Sequence, residues 1–447
     1  MKKLTKRSQI LLYGCSGFGV NMLNLIVGSY LCSALLTGGF KEHVESWTYL
    51  NTDLVLAGAS GGLWSLLILL SKVLDGVIDI PMSHFTDNLK TKWGRRRPAI
   101  LIGLIPTVIA YLLFLIPLNK TATLLNTIWF AVILCLFYAS YTLTMLTYYS
   151  TFAEILDSDS DRIFLSNVKS VCDVVYFILG YALIPVFVSM SINIRVVALI
   201  FLPFVLTMLI PLFMIKEHST TDETVKLEPG EAKGTTLIKA LSISFKNRSF
   251  IYWLCVVFVM NFGLTLFLSG INEFFSTTGI NMTIVMACSF APVPLTILLY
   301  NRIVKRHGMK TGFQYVMLVF SIAMVLMYFC LLLPTNKTQL SVMGAIGGLI
   351  ASFAIGAFFS ITYTIPSQLA AEENLRSGLC ASSIYFAVEG LFEGISAGIA
   401  SGIVLVWIKQ HDAASYITLI VACACMTAFV MAFFLPRNIR EMGKLKK

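Results

Sequence analysis

The sequence predicts an all-α integral membrane protein: twelve transmembrane helices in two pseudo-symmetric six-helix bundles, with both termini in the cytoplasm. Three observations predict this fold, namely the apolar composition, the placement of the basic residues and a repeat between the two halves of the chain. Of the 447 residues, 57% are hydrophobic and 13% are charged, whereas soluble domains are about half apolar and a quarter charged. A chain of this composition belongs in a lipid bilayer.

Twelve apolar segments are long enough to cross a hydrocarbon core of about 30 Å, which takes roughly 20 helical residues. They cover residues 9–36, 54–86, 98–118, 124–153, 167–190, 194–215, 250–276, 279–303, 312–333, 340–369, 378–408 and 412–435. The first segment follows a basic start like that of a signal peptide, but it continues to Leu36. It is too long for a cleaved apolar region, so we interpret it as the first transmembrane helix.

The basic residues alternate between loops, and this alternation predicts the orientation. If the N-terminus is cytoplasmic, 26 of the 33 Lys and Arg residues fall in cytoplasmic segments. Such asymmetry is the positive-inside rule, and it predicts that both termini are cytoplasmic. It also accounts for the formal charge of +10, so no nucleic-acid partner is expected.

Several features recur between the halves at a nearly constant spacing. The stretch LIPLNKT at 115–121 returns as LLPTNKT at 332–338, and Asp87 and Gly94 return as Asn301 and Gly308. Parallel recurrences of this kind indicate an internal duplication. We therefore predict an N-terminal bundle over 1–215, a polar linker over 216–248, a C-terminal bundle over 249–435 and a basic tail over 436–447.

The most specific motif lies at the end of the second segment. Residues 72–98 read KVLDGVIDIPMSHFTDNLKTKWGRRRP, with a basic residue, two aspartates and then a D-x6-G-[RK]-x-[RK]-P loop. Together with the six-plus-six pattern, this stretch resembles the glycoside-pentoside-hexuronide:cation symporter family of the major facilitator superfamily, the group containing melibiose permease. The resemblance covers essentially the whole chain. It implies the major facilitator fold and cation-coupled transport of a small polar solute, possibly a sugar or glycoside, by alternating access.

Lys72, Asp75 and Asp79 are predicted to couple transport to a cation. Their spacing places all three on one helical face near mid-membrane. An ionised side chain there costs about 2.5 kcal/mol or more, so this face must meet the bundle interior or a watery cavity. Two carboxylates repel until a cation neutralises the site; the alternative is a structural Lys72–Asp75 pair that braces the helix. The resemblance adds Thr142 to the site, and Ile78 in place of a polar ligand favours H⁺ over Na⁺.

The resemblance also implies a solute pocket. The family's pocket positions correspond to Asn21, Met145, Tyr149, Lys169 and Glu393, and only Tyr149 and Lys169 keep the family's character. The polar residues expected to face a central cavity are Asn21, Tyr149, Lys169, Asp173, Asn261, Glu389 and Glu393. Lys169 and Asp173 are four residues apart, and so are Glu389 and Glu393. The two members of each set either contact each other within one helix or lie near a water-filled cavity. The acidic pair favours a ligand with positive charge or many hydroxyls, and could itself take a proton.

A third group is predicted to hold the cytoplasmic side shut. The superfamily builds charge networks at positions that here correspond to Asp87, Arg95, Arg96, Arg97, Glu154 and Arg162. The alternative is that the basic residues only anchor loops to anionic lipid, which would leave Asp87 without a role.

The sequence also limits the classes of function. It holds no Walker loop, HExxH or GxSxG motif, so no enzyme activity is expected. No cofactor or structural metal is expected beyond the coupling ion, H⁺ or Na⁺. We expect a monomer in the cell membrane, with a small-molecule substrate and the lipid bilayer as partners. A lipid or amphiphile carrier of the same superfamily and a non-transporting membrane sensor remain as alternatives.

Overall fold

The computed structural model describes residues 3–28, 30–31, 76–121, 123–221, 236–280, 282–332, 336–378 and 382–444. Within these ranges, ten helices are long and apolar enough to cross a membrane. They coincide with ten of the twelve predicted segments. The predicted fifth segment is also helical, and most of the second lies outside the described residues. The total of twelve and the cytoplasmic placement of the termini stay predictions.

The N-terminal half consists of helices joined by short turns. Its described α-helices are α1 (Arg7–Gly14), α2 (Phe18–Leu25), α3 (76–88), α4 (Arg96–Phe114), α5 (Leu124–Glu154), α6 (Asp159–Ile178), α7 (Ile184–Ser189), α8 (Ile194–Phe201) and α9 (Ile210–Met214). A π-helical turn, Leu179–Leu183, joins α6 to α7, and a 3₁₀ helix, Leu202–Leu209, joins α8 to α9.

The C-terminal half also consists of helices joined by short turns. Its described α-helices are α10 (Leu237–Lys246), α11 (Arg248–Thr278), α12 (Met282–Phe290), α13 (Val293–His307), α14 (Met309–Cys330), α15 (Lys337–Ser377), α16 (Ser382–Gly398), α17 (Leu405–Gln410), α18 (Ile417–Met431) and α19 (Arg437–Arg440). A π-helical segment, Ile399–Val404, joins α16 to α17, and short 3₁₀ turns, Ala414–Tyr416 and Ala432–Phe434, flank α18.

The helix α4 shows how these sequences suit a bilayer. Ile102, Ile105 and Ile109 follow helical spacing and are about half exposed, whereas Tyr111 and Phe114 are fully buried. An apolar stripe on the outside would be unfavourable in water, but it matches hydrocarbon. The protein is therefore a multi-pass membrane protein.

The longest of the described helices, α15, is longer than a hydrocarbon core is thick. Its 41 residues correspond to roughly 60 Å at about 1.5 Å per residue, twice the core thickness. Asn336 and Gln339 form a capping box at its start, and it ends at Gly378, whose φ of 65° suits glycine.

Each half has an apolar core, and the core of the C-terminal half also includes Ala153, Ile163 and Val174 of the N-terminal half. The helix α6 packs on α15, and α16 packs on α5. Asn167 of α6 donates to Asn301 (2.8 Å) and accepts from Ser360 of α15 (2.6 Å). The Ser170 hydroxyl donates to the backbone carbonyl of Gly356. Polar bonds thus cross between the halves.

The charged loops collect at one end of the bundle. We call it the basic end, and it holds residues 87–97, 154–162, 304–309 and 437–443. The backbone N–H of Leu4 donates to Ile155 (2.9 Å), and that of Met309 donates to Met442 (3.0 Å). The chain near both of its described ends therefore lies at the basic end.

Candidate transport site and gate

Four of the predicted pocket residues lie together where α2, α5 and α6 meet. Asp173 pairs with the Lys169 ammonium and accepts a hydrogen bond from the Asn21 amide at 3.2 Å. Asn21 in turn accepts from the hydroxyl of Tyr141 at 3.0 Å. Lys169 and Asp173 are 0% and 1% exposed. A buried ion pair is stable only when further hydrogen bonds satisfy its remaining atoms, and Asn21 supplies one of them.

The C-terminal half contributes a tyrosine to this cluster. The hydroxyl of Tyr363, on α15, donates to the second carboxylate oxygen of Asp173 at 3.2 Å. The rings of Tyr149 and Tyr363 have centroids 4.7 Å apart, and the ammonium of Lys169 lies 5.6 Å from the first centroid and 5.0 Å from the second. Both rings are therefore placed for cation–π attraction. We call Asn21, Tyr141, Tyr149, Lys169, Asp173 and Tyr363 the central cluster.

The remaining predicted pocket residues form a second group within the C-terminal half. Trp253 of α11 donates its indole N–H to Oε1 of Glu389 at 3.1 Å, and Asn261 of α11 donates to the backbone carbonyl of Glu393 at 2.8 Å. Glu389 is 3% exposed, and Glu393 is half-buried. Within the described part of the chain, the hydrogen bonds of Asn261, Glu389 and Glu393 do not reach the central cluster. The predicted pocket is thus divided between the halves.

Of the predicted cation site, Asp79 and Thr142 can be described, while Lys72 and Asp75 lie outside the described residues. Asp79 is half-buried on α3, and Thr142 is buried on α5. A Cβ atom at position 390 would lie only 2.5 Å from Oδ2 of Asp79. The carboxylate therefore lies directly against the backbone of α16, on the interface between the halves. This position keeps an ionisable side chain away from lipid.

The close approach of α3 to α16 depends on two glycines, Gly76 of α3 and Gly390 of α16. A Cβ atom on Gly76 would lie 2.6 Å from the Cα of Leu391. Since Cβ atoms essentially never come that close to backbone, Gly76 and Gly390 permit a crossing that larger residues would prevent.

At the basic end, Arg96 is the centre of a buried charge cluster. Its guanidinium pairs with Asp87 at 2.7 Å and, through both Nε and Nη2, with Glu154. It also donates to the Ser383 hydroxyl of α16 at 2.8 Å, and Ser383 donates to Asp87 at 2.9 Å. Thr86 bonds the same hydroxyl at 3.0 Å. Because Ser383 belongs to the C-terminal half, this network ties the halves together.

The other predicted gate residues have separate surroundings. Arg95 lies 3.6 Å from Glu154, at the edge of the cluster. Arg162 pairs with Asp159 at 3.0 Å and donates to the carbonyl of Leu156 at 2.9 Å. Its described bonds therefore stabilise the turn between α5 and α6.

Glu217 adds a contact that the sequence analysis did not predict. Its carboxylate accepts hydrogen bonds from the backbone N–H of Arg96 (2.9 Å) and Arg97 (3.4 Å), which have no partner within α4 at its N-terminus. Burial raises the pKa of the Glu217 carboxyl, and the nearby charge of Glu154 adds to this effect. Gly94, with φ of 88°, allows the contact, because its Cβ would lie 2.3 Å from that of Glu217.

A comparison with known proteins identifies the family. Residues 12–416 match the family of MFS/sugar transport proteins. The chain belongs to this family. The match confirms the predicted membership of the major facilitator superfamily, and it makes the protein a secondary transporter and not an enzyme. No curated protein matches the chain in sequence.

Solved structures of major facilitator transporters share the fold. The E. coli fucose:proton symporter matches with a TM-score of 0.60 at 15% identity, over 96% of this chain and 98% of the symporter. A bacterial homologue of the iron transporter ferroportin, in an outward-facing state, gives 0.62 at 11% identity, over 97% and 99%. The human organic anion transporter MFSD10 gives 0.59 at 14% identity, over 96% and 100%. At these identities the likeness concerns the fold alone.

Several residues of this major facilitator protein's site carry little signal in the sequence. Ser383 and Tyr141 are ordinary residues of apolar segments, and their importance comes from contacts with distant parts of the chain. Tyr363 had a usable signal, because it follows Tyr149 by 214 residues, the offset of the Asp87/Asn301 repeat. Duplicated halves tend to place equivalent residues around one central axis.

Proposed function

We propose that the protein is a cation-coupled symporter that moves a small polar solute, possibly a sugar or glycoside, by alternating access. The observation that carries this proposal is the buried Lys169–Asp173 ion pair, to which Tyr363 of the opposite half donates a hydrogen bond. A buried ionisable pair between two helical bundles is costly unless it has a function. Its two aromatic rings and its charged groups suit a solute with a ring and several hydroxyls.

The central cluster supports a specific binding mechanism. The carboxylate of Asp173 has three donors, from Lys169, Asn21 and Tyr363. A solute hydroxyl that replaced the Tyr363 donor would keep Asp173 satisfied while it released the bond between the halves. Solute binding would then favour movement of one half relative to the other, since a ligand shifts a conformational equilibrium only through such differential contacts.

The position of Asp79 supports coupling to a cation. Its carboxylate meets α16 at the same interface that must open and close. Close packing of α3 on α16 removes the carboxylate from water, which disfavours its ionised form, so H⁺ or Na⁺ binding would permit this packing and its release would favour separation. Coupling then follows because the cation binds the packed and separated states with different affinities.

The Arg96 cluster supports a gate at the basic end. Arg96, Asp87 and Glu154 hold one another within the N-terminal half, and Ser383 joins them to α16. Opening this end would break the three hydrogen bonds of Ser383 but leave the buried ion pairs intact. The gate can therefore open without leaving a charge uncompensated, which would cost several kcal/mol.

Uptake by the purified protein in proteoliposomes tests the proposal. A panel of radiolabelled pentoses, hexoses and glycosides is offered under an imposed H⁺ gradient, an imposed Na⁺ gradient or neither. We expect one solute class to accumulate only with one of the gradients. Equal uptake with and without both gradients would contradict coupling, and exchange of labelled lysolipid without uptake of any aqueous solute would favour the amphiphile carrier. Binding without uptake would favour the sensor.

A further inference from the structure

Glu389 is a buried carboxyl group that the proposed cation site and the central cluster do not use. It lies on α16 and is 3% exposed. Its Oε1 accepts one hydrogen bond, from the indole N–H of Trp253 at 3.1 Å. Its Oε2 is buried and has no hydrogen-bond partner among the described residues. A carboxylate can accept about four hydrogen bonds, so this group is far from satisfied as an anion.

The charged surroundings of Glu389 also oppose an anion. Glu393 lies one turn further along the same face of α16, and Asp79 of α3 lies against Gly390. From α11 the neighbour is the neutral Trp253. From α5, the ring of Tyr149 lies against Phe386 of α16. The charged residues of the other helices near α16 lie towards the basic end, namely Asp87, Arg96, Glu154, Glu372, Glu373 and Arg376. On α10, Lys239 and Lys246 are exposed. None of the ion pairs among the described residues includes Glu389.

A proton resolves both difficulties. An isolated buried carboxylate is strongly unfavourable, and such a group takes up a proton instead. The nearby carboxyl group of Glu393 adds to this preference, because like charges disfavour further ionisation. The indole N–H of Trp253 donates a hydrogen bond to the carbonyl oxygen of the neutral acid. After ionisation, the same hydrogen bond is charge-assisted and stronger. Both protonation states therefore have a partner in α11.

We infer that Glu389 is a proton-binding site of the C-terminal half, separate from the cation site around Asp79. Binding converts the carboxylate and one proton into the neutral acid, and release reverses this step. The neighbouring Gly390 touches Asp79, so the two sites contact adjacent residues of one helix. This inference rests on the proposed function for its role in transport, but proton binding itself does not require transport.

The consequence is that the protein binds a proton even when Asp79 cannot. Infrared difference spectra, recorded between acidic and alkaline pH on the full-length protein in lipid nanodiscs, detect the C=O band of a carboxylic acid that loses its proton. The only ligand in this experiment is H⁺. Several carboxyl groups contribute to this band, so the spectrum of each variant is subtracted from that of the wild type. We expect the component of Glu389 to be present in the wild type and in Asp79→Asn and to be absent in Glu389→Gln. A band of unchanged size in Glu389→Gln would overturn the inference.

Two further variants test the same site when Glu389→Gln fails to fold. Glu393→Gln removes a neighbouring negative charge, so the loss of the band should move to lower pH. Trp253→Phe removes the donor that stabilises the carboxylate, so the loss should move to higher pH. Unchanged midpoints in both variants would contradict the assignment. Because these spectra need no solute, an Asp79→Asn protein that still accumulated solute with the cation gradient would refute the proposed cation site and leave the Glu389 result intact.

Discussion

The phenol of Tyr363 donates a hydrogen bond to Asp173 at 3.2 Å, from the C-terminal half to the N-terminal half. In Tyr363→Phe, Asp173 loses one of its three donors. Leaving a buried polar group short of a partner costs about 1 to 3 kcal/mol. We expect the solute to bind about tenfold more tightly, because a solute hydroxyl can then supply the missing donor and about 1.4 kcal/mol corresponds to that factor. Solute binding to the purified protein measures it, and Tyr252→Phe on the exposed surface of α11 should change nothing.

The Lys169–Asp173 pair predicts a contrast between single and double substitutions. Lys169→Met leaves the Asp173 carboxylate buried without its cation, which typically costs about 3 to 5 kcal/mol. Replacing both, in Lys169→Met with Asp173→Leu, removes that charge, so thermal unfolding in detergent should return towards the wild-type temperature. Solute uptake should stay absent in both variants. Equal stability of the single and double variants would show that the pair is not charged in the folded protein.

The contact of Asp79 with Gly390 predicts that a methyl group at position 390 separates the halves. Its Cβ would lie 2.5 Å from Oδ2 of Asp79, so Gly390→Ala should disfavour the state in which α3 packs on α16. Cross-linking between cysteines introduced at Thr86 and Ser383, whose hydroxyls are 3.0 Å apart, measures the population of that state. The matched control is Gly263→Ala, where the nearest atom is 3.4 Å away. Equal cross-linking rates in the two variants would exclude a tight crossing at Gly390.

The Arg96 cluster predicts that lysine cannot replace arginine at its centre. Arg96 binds Asp87, Glu154 and Ser383 through different nitrogens, whereas lysine offers one compact ammonium. We expect Arg96→Lys to lower the uptake rate by about tenfold or more, in line with about 2 kcal/mol for lost charge-assisted bonds. Arg437→Lys, at a side chain that is 84% exposed, should retain full uptake.

Glu217 predicts a pH dependence of stability at the basic end. Burial raises its pKa in the folded protein above the ordinary value of 4.5, so the folded state holds this proton more tightly than the unfolded state. The contribution to stability is therefore complete at acidic pH and is lost as the pH rises through the raised pKa. Thermal unfolding should show a smaller loss between acidic and neutral pH in Glu217→Gln than in the wild type. The same slope in both proteins would contradict the shift.

The sequence predicted what depends on spacing within one segment. Lys169 and Asp173 could be paired from their i, i+4 positions, and ten of the apolar segments coincide with helices of the described residues. It did not predict the partners that lie across the interface, such as Ser383 for Arg96, because nothing in a local pattern specifies which helices meet. Glu389 shows the same limit: the sequence predicted it as part of one pocket with Lys169, but its bond to Trp253 belongs to the C-terminal half.

The most direct test of the account is the gradient dependence of uptake in Asp79→Asn, compared with Asp412→Asn at an exposed turn whose positive φ asparagine also accepts. In proteoliposomes that contain a transported solute, we expect Asp412→Asn to accumulate it as the wild type does. Asp79→Asn should move solute only down its own gradient, with no response to imposed H⁺ or Na⁺. Accumulation by Asp79→Asn that follows the cation gradient as in the wild type would contradict the central claim.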